Sequence, residues 1–139
     1  MRITKFMRRS IASVNPEAAL KEIEELMERR RIRHVLVMEK GQLLGIISDR
    51  DIKKYRSLFA ETKAAREIDE ATLRFRAHQI MTRDPITIHE DIRASDAIKL
   101  MLEKHISCIP VLDNDNAVIG VITSNDFMKW MVELLEFIE

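Results

Sequence analysis

Apolar positions along this chain change period in a regular way. Leu20, Ile23 and Met27 recur at spacings of three and four, which predicts a helix with one buried face. Asn15 stands ahead of it as a candidate N-cap, with Pro16 at the first helical position, where a missing N–H costs least. Two runs rich in β-branched residues follow, "HVLVM" and "LLGIIS", with turn residues between them; they predict an antiparallel hairpin. A second helix is expected at the polar residues after Ser48, and "SIASV" supplies a short strand ahead of Asn15. The order is strand, helix, strand, strand, helix.

The same order then recurs. At an offset of 74 positions Met7 meets Met81, Arg9 meets Arg83, Leu26-Met27 meets Leu100-Met101, Ile32 meets Ile106 and Val37 meets Val111. One extra residue shifts the offset to 75, and Gly45 then meets Gly120, Ile47 meets Ile122, Ser48 meets Thr123 and Asp51 meets Asp126. The insertion falls between the two β-rich runs, as expected for a hairpin loop. The second copy has "PITIH", a helix with Ala94, Ala97, Ile98 and Met101 on one face, then "CIPVL" and "VIGVIT". The chain thus divides into repeat 1 (1–59), a connector (60–79) and repeat 2 (80–139) with a C-terminal helix. The connector has no Gly or Pro and is rich in helix formers, so it is expected to be largely helical. The C-terminal helix carries Phe127, Trp130, Met131, Leu134, Leu135 and Ile138 on one stripe, with Met128, Val132 and Phe137 spilling beyond it. So much apolar circumference asks for a second covering surface, which another copy of the chain would supply as a homodimer.

Composition narrows the function classes. A net charge of zero argues against a bulk basic surface for nucleic acid, and no stretch could span a bilayer. The N-terminal residues make no signal peptide, and a single cysteine, Cys108, excludes an internal disulfide; a cytoplasmic protein is expected, with Cys108 as a small core residue. His34, His78, His89 and His105 show no metal-ligand spacing, and three glycines cannot make a Gly-rich phosphate loop. Asp49 with Asp51, and Asp113 with Asp115, could suggest a magnesium site, but charged turns explain them as well. No catalytic residue and no metal site are expected.

What remains is "GIISDRD" and "GVITSND", the same turn twice. With the doubled strand-helix-strand-strand-helix unit, it resembles a pair of cystathionine-β-synthase (CBS) domains, a Bateman module. The signature Gly-apolar-x-Ser/Thr-x-x-Asp matches at Gly45, Ser48 and Asp51, and again at Gly120, Thr123 and Asp126; Ile-x-x-x-Pro-Val matches at Ile106, Pro110 and Val111, but the first copy has Leu36 in place of the proline. "IISDRDI" and the long connector are also similar to stand-alone CBS pairs of the acetoin-utilisation type. The resemblance implies an α/β (α+β) fold of two β-α-β-β-α repeats related by a pseudo-two-fold axis. It further implies clefts that bind adenosine-type ligands: AMP, ADP or ATP, with S-adenosylmethionine or NAD also open. In such a cleft Ser48 or Thr123 donates to phosphate and Asp51 or Asp126 accepts the ribose diol, while Gly45 or Gly120 removes a side chain where another strand or a ligand ring must come close. Because these carboxylates lie a turn further than an N-cap requires, a ligand role is favoured over simple capping.

In related modules a basic pair on the second strand meets phosphate, and Arg33 and His34 occupy those positions, with Arg50 just ahead of Asp51. The second copy has Ser107, Cys108 and Asn125 there, so the first site is expected to prefer phosphorylated ligands and the second to tolerate adenosine itself. Thr87 and Ile109, on its first and second strands, join the implied site. The expected function is regulatory: a nucleotide sensor without enzymatic activity, signalling to another polypeptide. The alternative is a ligand-free structural dimerisation module.

Overall fold

Turn chemistry shapes both hairpins. In the computed structural model, which describes residues 1–59 and 74–139, strand β2 (His34–Glu39) turns into β3 (Gln42–Ser48) through Lys40 and Gly41. Both turn residues have positive φ, 50° and 78°, the type I′ geometry that matches strand twist. The second hairpin, β6 (Cys108–Leu112) to β7 (Val118–Thr123), uses the longer loop that the offset change predicts. There Asp113 Oδ1 accepts the N–H groups of Asp115 and Ala117, each at 2.9 Å, so the loop closes on a side chain. Both hairpins carry a register irregularity at the same place, Val37/Met38 and Val111/Leu112.

The remaining elements are β1 (Ser13–Val14), α1 (Leu20–Arg30), α2 (Asp49–Phe59), α3 (Ala77–Ile80), β4 (Thr82–Arg83), β5 (Ile88–His89), α4 (Ala94–Lys104) and α5 (Ser124–Ile138). The expected order of strand, helix, strand, strand, helix occurs twice. Residues 60–73 of the connector lie outside the described residues; at its end α3 is helical.

Contacts divide the chain into two units, residues 12–85 and residues 1–11 with 86–139. The first holds a four-stranded sheet ordered β1-β2-β3-β4, and the second a three-stranded sheet ordered β5-β6-β7. β1 and β5 run parallel to their neighbours and the other pairs are antiparallel. Each sheet buries one face under its helices: Leu20, Ile23, Met27, Val35, Val37 and Ile47 in the first unit, Ala97, Met101, Ile109, Val111, Ile122 and Phe127 in the second.

Neither unit coincides with a sequence repeat, because the opening segment of each repeat packs on the other repeat's sheet. β4 pairs with β3, and Arg8 bridges to Val121 of β7. The same exchange starts the first helix of each repeat. Asn15 is not the N-cap of α1: its Oδ1 accepts Glu17 N–H at 2.7 Å in a turn, and the helix starts later, after Ala19. The N–H of Leu20 instead donates to Phe75 O at 3.1 Å, and that of Ala94, opening α4, donates to Met1 O at 2.8 Å. Phe75 and Met1 are themselves 74 positions apart, so the exchange obeys the repeat. Neither Ala19 nor Arg93 supplies a side-chain cap, and backbone carbonyls from distant segments satisfy the orphan donors instead.

The proline missing from the first copy is also explained. Leu36 N–H donates to Ala12 O at 3.0 Å and its side chain is buried, so this central strand gains a ladder bond that Pro110 cannot make.

Candidate functional site

In both units a strand runs straight into a helix, at Ser48 into α2 and at Thr123 into α5. The hydroxyl accepts the N–H of the residue three further on: Asp51 N to Ser48 Oγ is 3.1 Å, and Asp126 N to Thr123 Oγ1 is 3.2 Å. The carboxylate returns the bond, with Ser48 N to Asp51 Oδ2 at 2.8 Å and Thr123 N to Asp126 Oδ2 at 3.0 Å. These are reciprocal capping boxes. The placement of Asp51 and Asp126 is therefore what capping itself uses, and it does not by itself demand a ligand.

The two glycines serve close approach within each unit. A Cβ on Gly45 would lie 2.8 Å from Thr82 O, and one on Gly120 would lie 2.8 Å from Arg8 O. Met81 and Met7, which correspond in the repeat, lie over the same two positions. The glycines thus admit the exchanged segment; the sequence left open whether a strand or a ligand came close.

That segment brings in a residue that sequence reasoning missed. Arg8 Nε donates to Asp126 Oδ1 at 3.0 Å, while Thr82, its counterpart at the 74-residue offset, has no cation to offer Asp51. The second half holds Ser107, Cys108 and Asn125 at the places compared in the sequence, and the arginine at its carboxylate comes from outside the repeat. The alignment pairs Arg8 with Thr82, but only the strand exchange shows which carboxylate each one faces.

The carboxylates consequently differ. Asp126 Oδ2 also accepts Thr123 Oγ1–H at 2.8 Å, and its side chain is only 10% exposed. Among the described residues Asp51 accepts only the Ser48 N–H, and Oδ1 is left open.

Around Asp51, His34 pairs with Ser48 across β2 and β3 and is largely buried. Burial lowers its pKa below the ordinary 6.5, opposed by the charges of Asp49 and Asp51 and assisted by Arg33 and Arg50. At neutral pH the ring is therefore uncharged. Arg50 is exposed, one residue before Asp51. Arg33 is exposed too, and lines a groove of about 420 Å³ between α1 and α2 with Met27, Asp49 and Ile52. Its carbonyl accepts Asp49 N–H at 2.9 Å.

In the other unit Ser107 O accepts Ser124 N–H at 2.9 Å, the equivalent bond, and Cys108 pairs with Thr123. Burial foremost, and then the negative charge of Asp126, push the Cys108 thiol up to about 12, against the pull of Arg8. It stays protonated and belongs to the packed interior. Asn125 is exposed and Thr87 half-buried just ahead of β5. Ile109 is fully buried in its unit's core, so it can offer a ligand nothing but backbone. Among the described residues no group of three or more His, Cys, Asp or Glu could hold a metal ion, and no helix is long and apolar enough to cross a membrane.

Comparison with known proteins follows this geometry. The CBS domain family model matches residues 3–58 and 77–133. A protein from Methanocaldococcus jannaschii, described as an archaeal homologue of g-AMPK, superposes with a TM-score of 0.80 at 27% identity over 94% of this chain and 47% of its own. A Vibrio cholerae protein described as an acetoin utilisation protein (AcuB) gives 0.79 at 24% identity, covering 98% and 93%. CBSX2, solved with AMP, gives 0.78 at 20% identity, covering 96% and 97%. A further CBS pair, solved with 5′-methylthioadenosine and S-adenosyl-L-methionine, gives 0.78 at 24%, over 96% and 97%. By sequence, an uncharacterized M. jannaschii protein is 29% identical over 121 residues, 87% of this chain and 36% of its own length. A Methanopyrus kandleri protein is 29% identical over 133 residues, with 63% of its length covered, so the chain spans about a third to two thirds of these relatives.

Proposed function

We propose that this chain, which belongs to the CBS domain family, is a regulatory module that senses an adenine nucleotide (AMP, ADP or ATP, with S-adenosylmethionine or NAD as further candidates) and passes the signal to another protein. The observation that carries the reading is the Asp51 turn. Its carboxylate sits at the positive end of α2, is held by one backbone bond, and keeps an oxygen open beside the exposed Arg50. A carboxylate so placed can accept both hydrogens of a ribose cis-diol, and the α2 N-terminus with Arg50 and Ser48 suits phosphate. The residues present fit an adenosine ligand, and the chemistry they support is binding. Relatives solved with AMP and with S-adenosyl-L-methionine support the ligand class.

A ligand acts as a signal only if it binds one conformation better than another; a micromolar ligand carries about 8 kcal/mol of binding free energy, enough to shift such an equilibrium. The second reading, a structural dimerisation module, is favoured by one observation: α5 leaves Met128 65% and Phe137 89% exposed. The two readings are compatible, and we take the sensor to be a homodimer. The test is titration calorimetry with AMP, ATP, S-adenosylmethionine and NAD. The wild type should bind at least one of them, and Asp51→Ala with Asp126→Ala should abolish that binding while the fold persists. A double variant that binds as the wild type does removes both carboxylates from the site.

A further inference from the structure

The two carboxylates differ in what they have left to give. A carboxylate offers about four lone-pair positions. At Asp126 three hydrogen bonds already occupy them: Thr123 N–H and Thr123 Oγ1–H on Oδ2, and Arg8 Nε–H on Oδ1. A ribose cis-diol needs two, so it cannot be accepted unless a partner leaves. At Asp51 the Ser48 N–H is the lone donor among the described residues, and a diol can be accepted as the side chain stands.

Of the partners at Asp126, the Thr123 hydroxyl can turn toward a ligand, but that frees a place on Oδ2 alone, and a diol spanning both oxygens still meets the guanidinium on Oδ1 until Arg8 leaves. Thr123 N–H belongs to the capping box that starts α5 and is a backbone donor fixed in place, so it cannot turn away. Arg8, by contrast, is held to β7 by its backbone: Arg8 N–H donates to Val121 O at 2.8 Å and Val121 N–H to Arg8 O at 3.0 Å. Its side chain can swing away while that pairing persists, and it is 39% exposed, so it has a route to solvent. Swinging away leaves Asp126 without its counter-charge, in a place where its side chain is 10% exposed. A neutral nucleoside cannot make up that loss. A ligand with its own anion can, because the guanidinium exchanges one oxyanion for another.

We infer that Arg8 gates the Asp126 site, closing it to neutral nucleosides and opening it to phosphorylated ones, whereas the Asp51 site, with Thr82 in the corresponding place, takes both. This rests on the adenine-nucleotide reading above and reverses the preference expected for the second half from its own residues.

Single-site variants separate the two carboxylates. Asp126→Ala should bind adenosine and AMP by calorimetry; Asp51→Ala should bind AMP at least about tenfold tighter than adenosine, the size of a desolvated charge-assisted contact. Adding Arg8→Ala to Asp51→Ala should raise adenosine affinity and bring the two ligands within about threefold, while Arg8→Lys should keep most of the discrimination. Melting curves without ligand establish that each variant is folded, and a pair of heteronuclear spectra locates the remaining site by its shifted resonances. Equal binding of adenosine and AMP to Asp51→Ala overturns the gate. So does an Asp51→Ala, Arg8→Ala protein that gains no adenosine affinity while Asp126→Ala still binds. Failure of both single variants and of the wild type to bind any adenosine compound overturns the nucleotide reading, and the gate with it.

Discussion

A histidine and two aspartates show how far a side chain's surroundings alter what its type implies. His34 was expected as half of a basic pair, but burial beneath its own strand pairing disfavours the charged ring. The stability consequence has a definite sign. The unfolded ring takes up a proton near pH 6.5 and the folded ring only at lower pH, so the unfolded state binds more protons between the two values. Stability is therefore complete above about pH 6.5 and falls as the pH drops through that window. His34→Gln should flatten the fall in melting temperature between pH 7 and pH 5, by at most about one proton's worth of slope. Denaturant titrations across that range measure it, and an unchanged slope would mean that the ring is protonated as readily in the fold as out of it. Asp51 and Asp126 make the complementary point. Their spacing from the hydroxyl residue was legible, but it is the spacing of a capping box, and what distinguishes them for a ligand is the arginine that one of them faces.

Among the elements, the exchanged segments explain most of what is invariant between the two repeats. Each segment crosses a glycine and places a methionine over it, and the one through Arg8 reaches the hydroxyl-carboxylate turn. Gly45→Ala and Gly120→Ala should each destabilise the fold by about 1–3 kcal/mol, because the methionine over the new Cβ can turn aside but the backbone carbonyl 2.8 Å from it cannot. Urea unfolding tests this directly. Loss confined to one unit's amides in hydrogen exchange would identify the displaced strand as β4 or the segment at Arg8. If either alanine proved neutral, the strand would have to move aside at no cost, and the glycine would need another explanation. The first helices show the same dependence on distant chain: α1 and α4 end on left-handed Arg31 and His105, φ 52° and 54°, without glycine, yet begin without any side-chain cap. The C-terminal closure is local, by Ile32 N–H to Met27 O and Ile106 N–H to Met101 O, and could be read from the repeat; the N-terminal one could not.

For the whole molecule, the open question that α5 poses is association. Phe127 is buried and stacks near Phe6, with ring centroids 5.6 Å apart, and Phe6 also meets Trp130 at 5.3 Å. Past Trp130 cover runs out: Leu134 is half-buried, while Met131, Val132, Leu135 and Ile138 are exposed. Burying two such large side chains is worth roughly 3–6 kcal/mol, a driving force for pairing. Light scattering at micromolar concentration should therefore give about twice the 16.2 kDa chain mass, and Leu135→Glu, at an exposed position, should shift it to the monomer without lowering nucleotide affinity more than about twofold. A wild-type monomer at that concentration, with and without nucleotide, excludes the homodimer.

Local order and pairing were written into the sequence. Period changes placed every hairpin strand within about a residue, the insertion marked the hairpin loop, and two copies of one turn carried the family resemblance. These features depend on neighbours a few positions apart, or on a repeat that reports the same local solution twice. Three things depended on the tertiary structure: the cap of α1, which Asn15 does not provide; the reason for the glycines; and the arginine on Asp126. Each arises where residues 37 to 118 positions apart meet, Phe75 O facing Leu20, Thr82 facing Gly45 through an extra strand, Arg8 facing Asp126. Periodicity records which face of an element is buried but not which distant segment buries it, and in this chain the covering segment comes from the other repeat or from the connector.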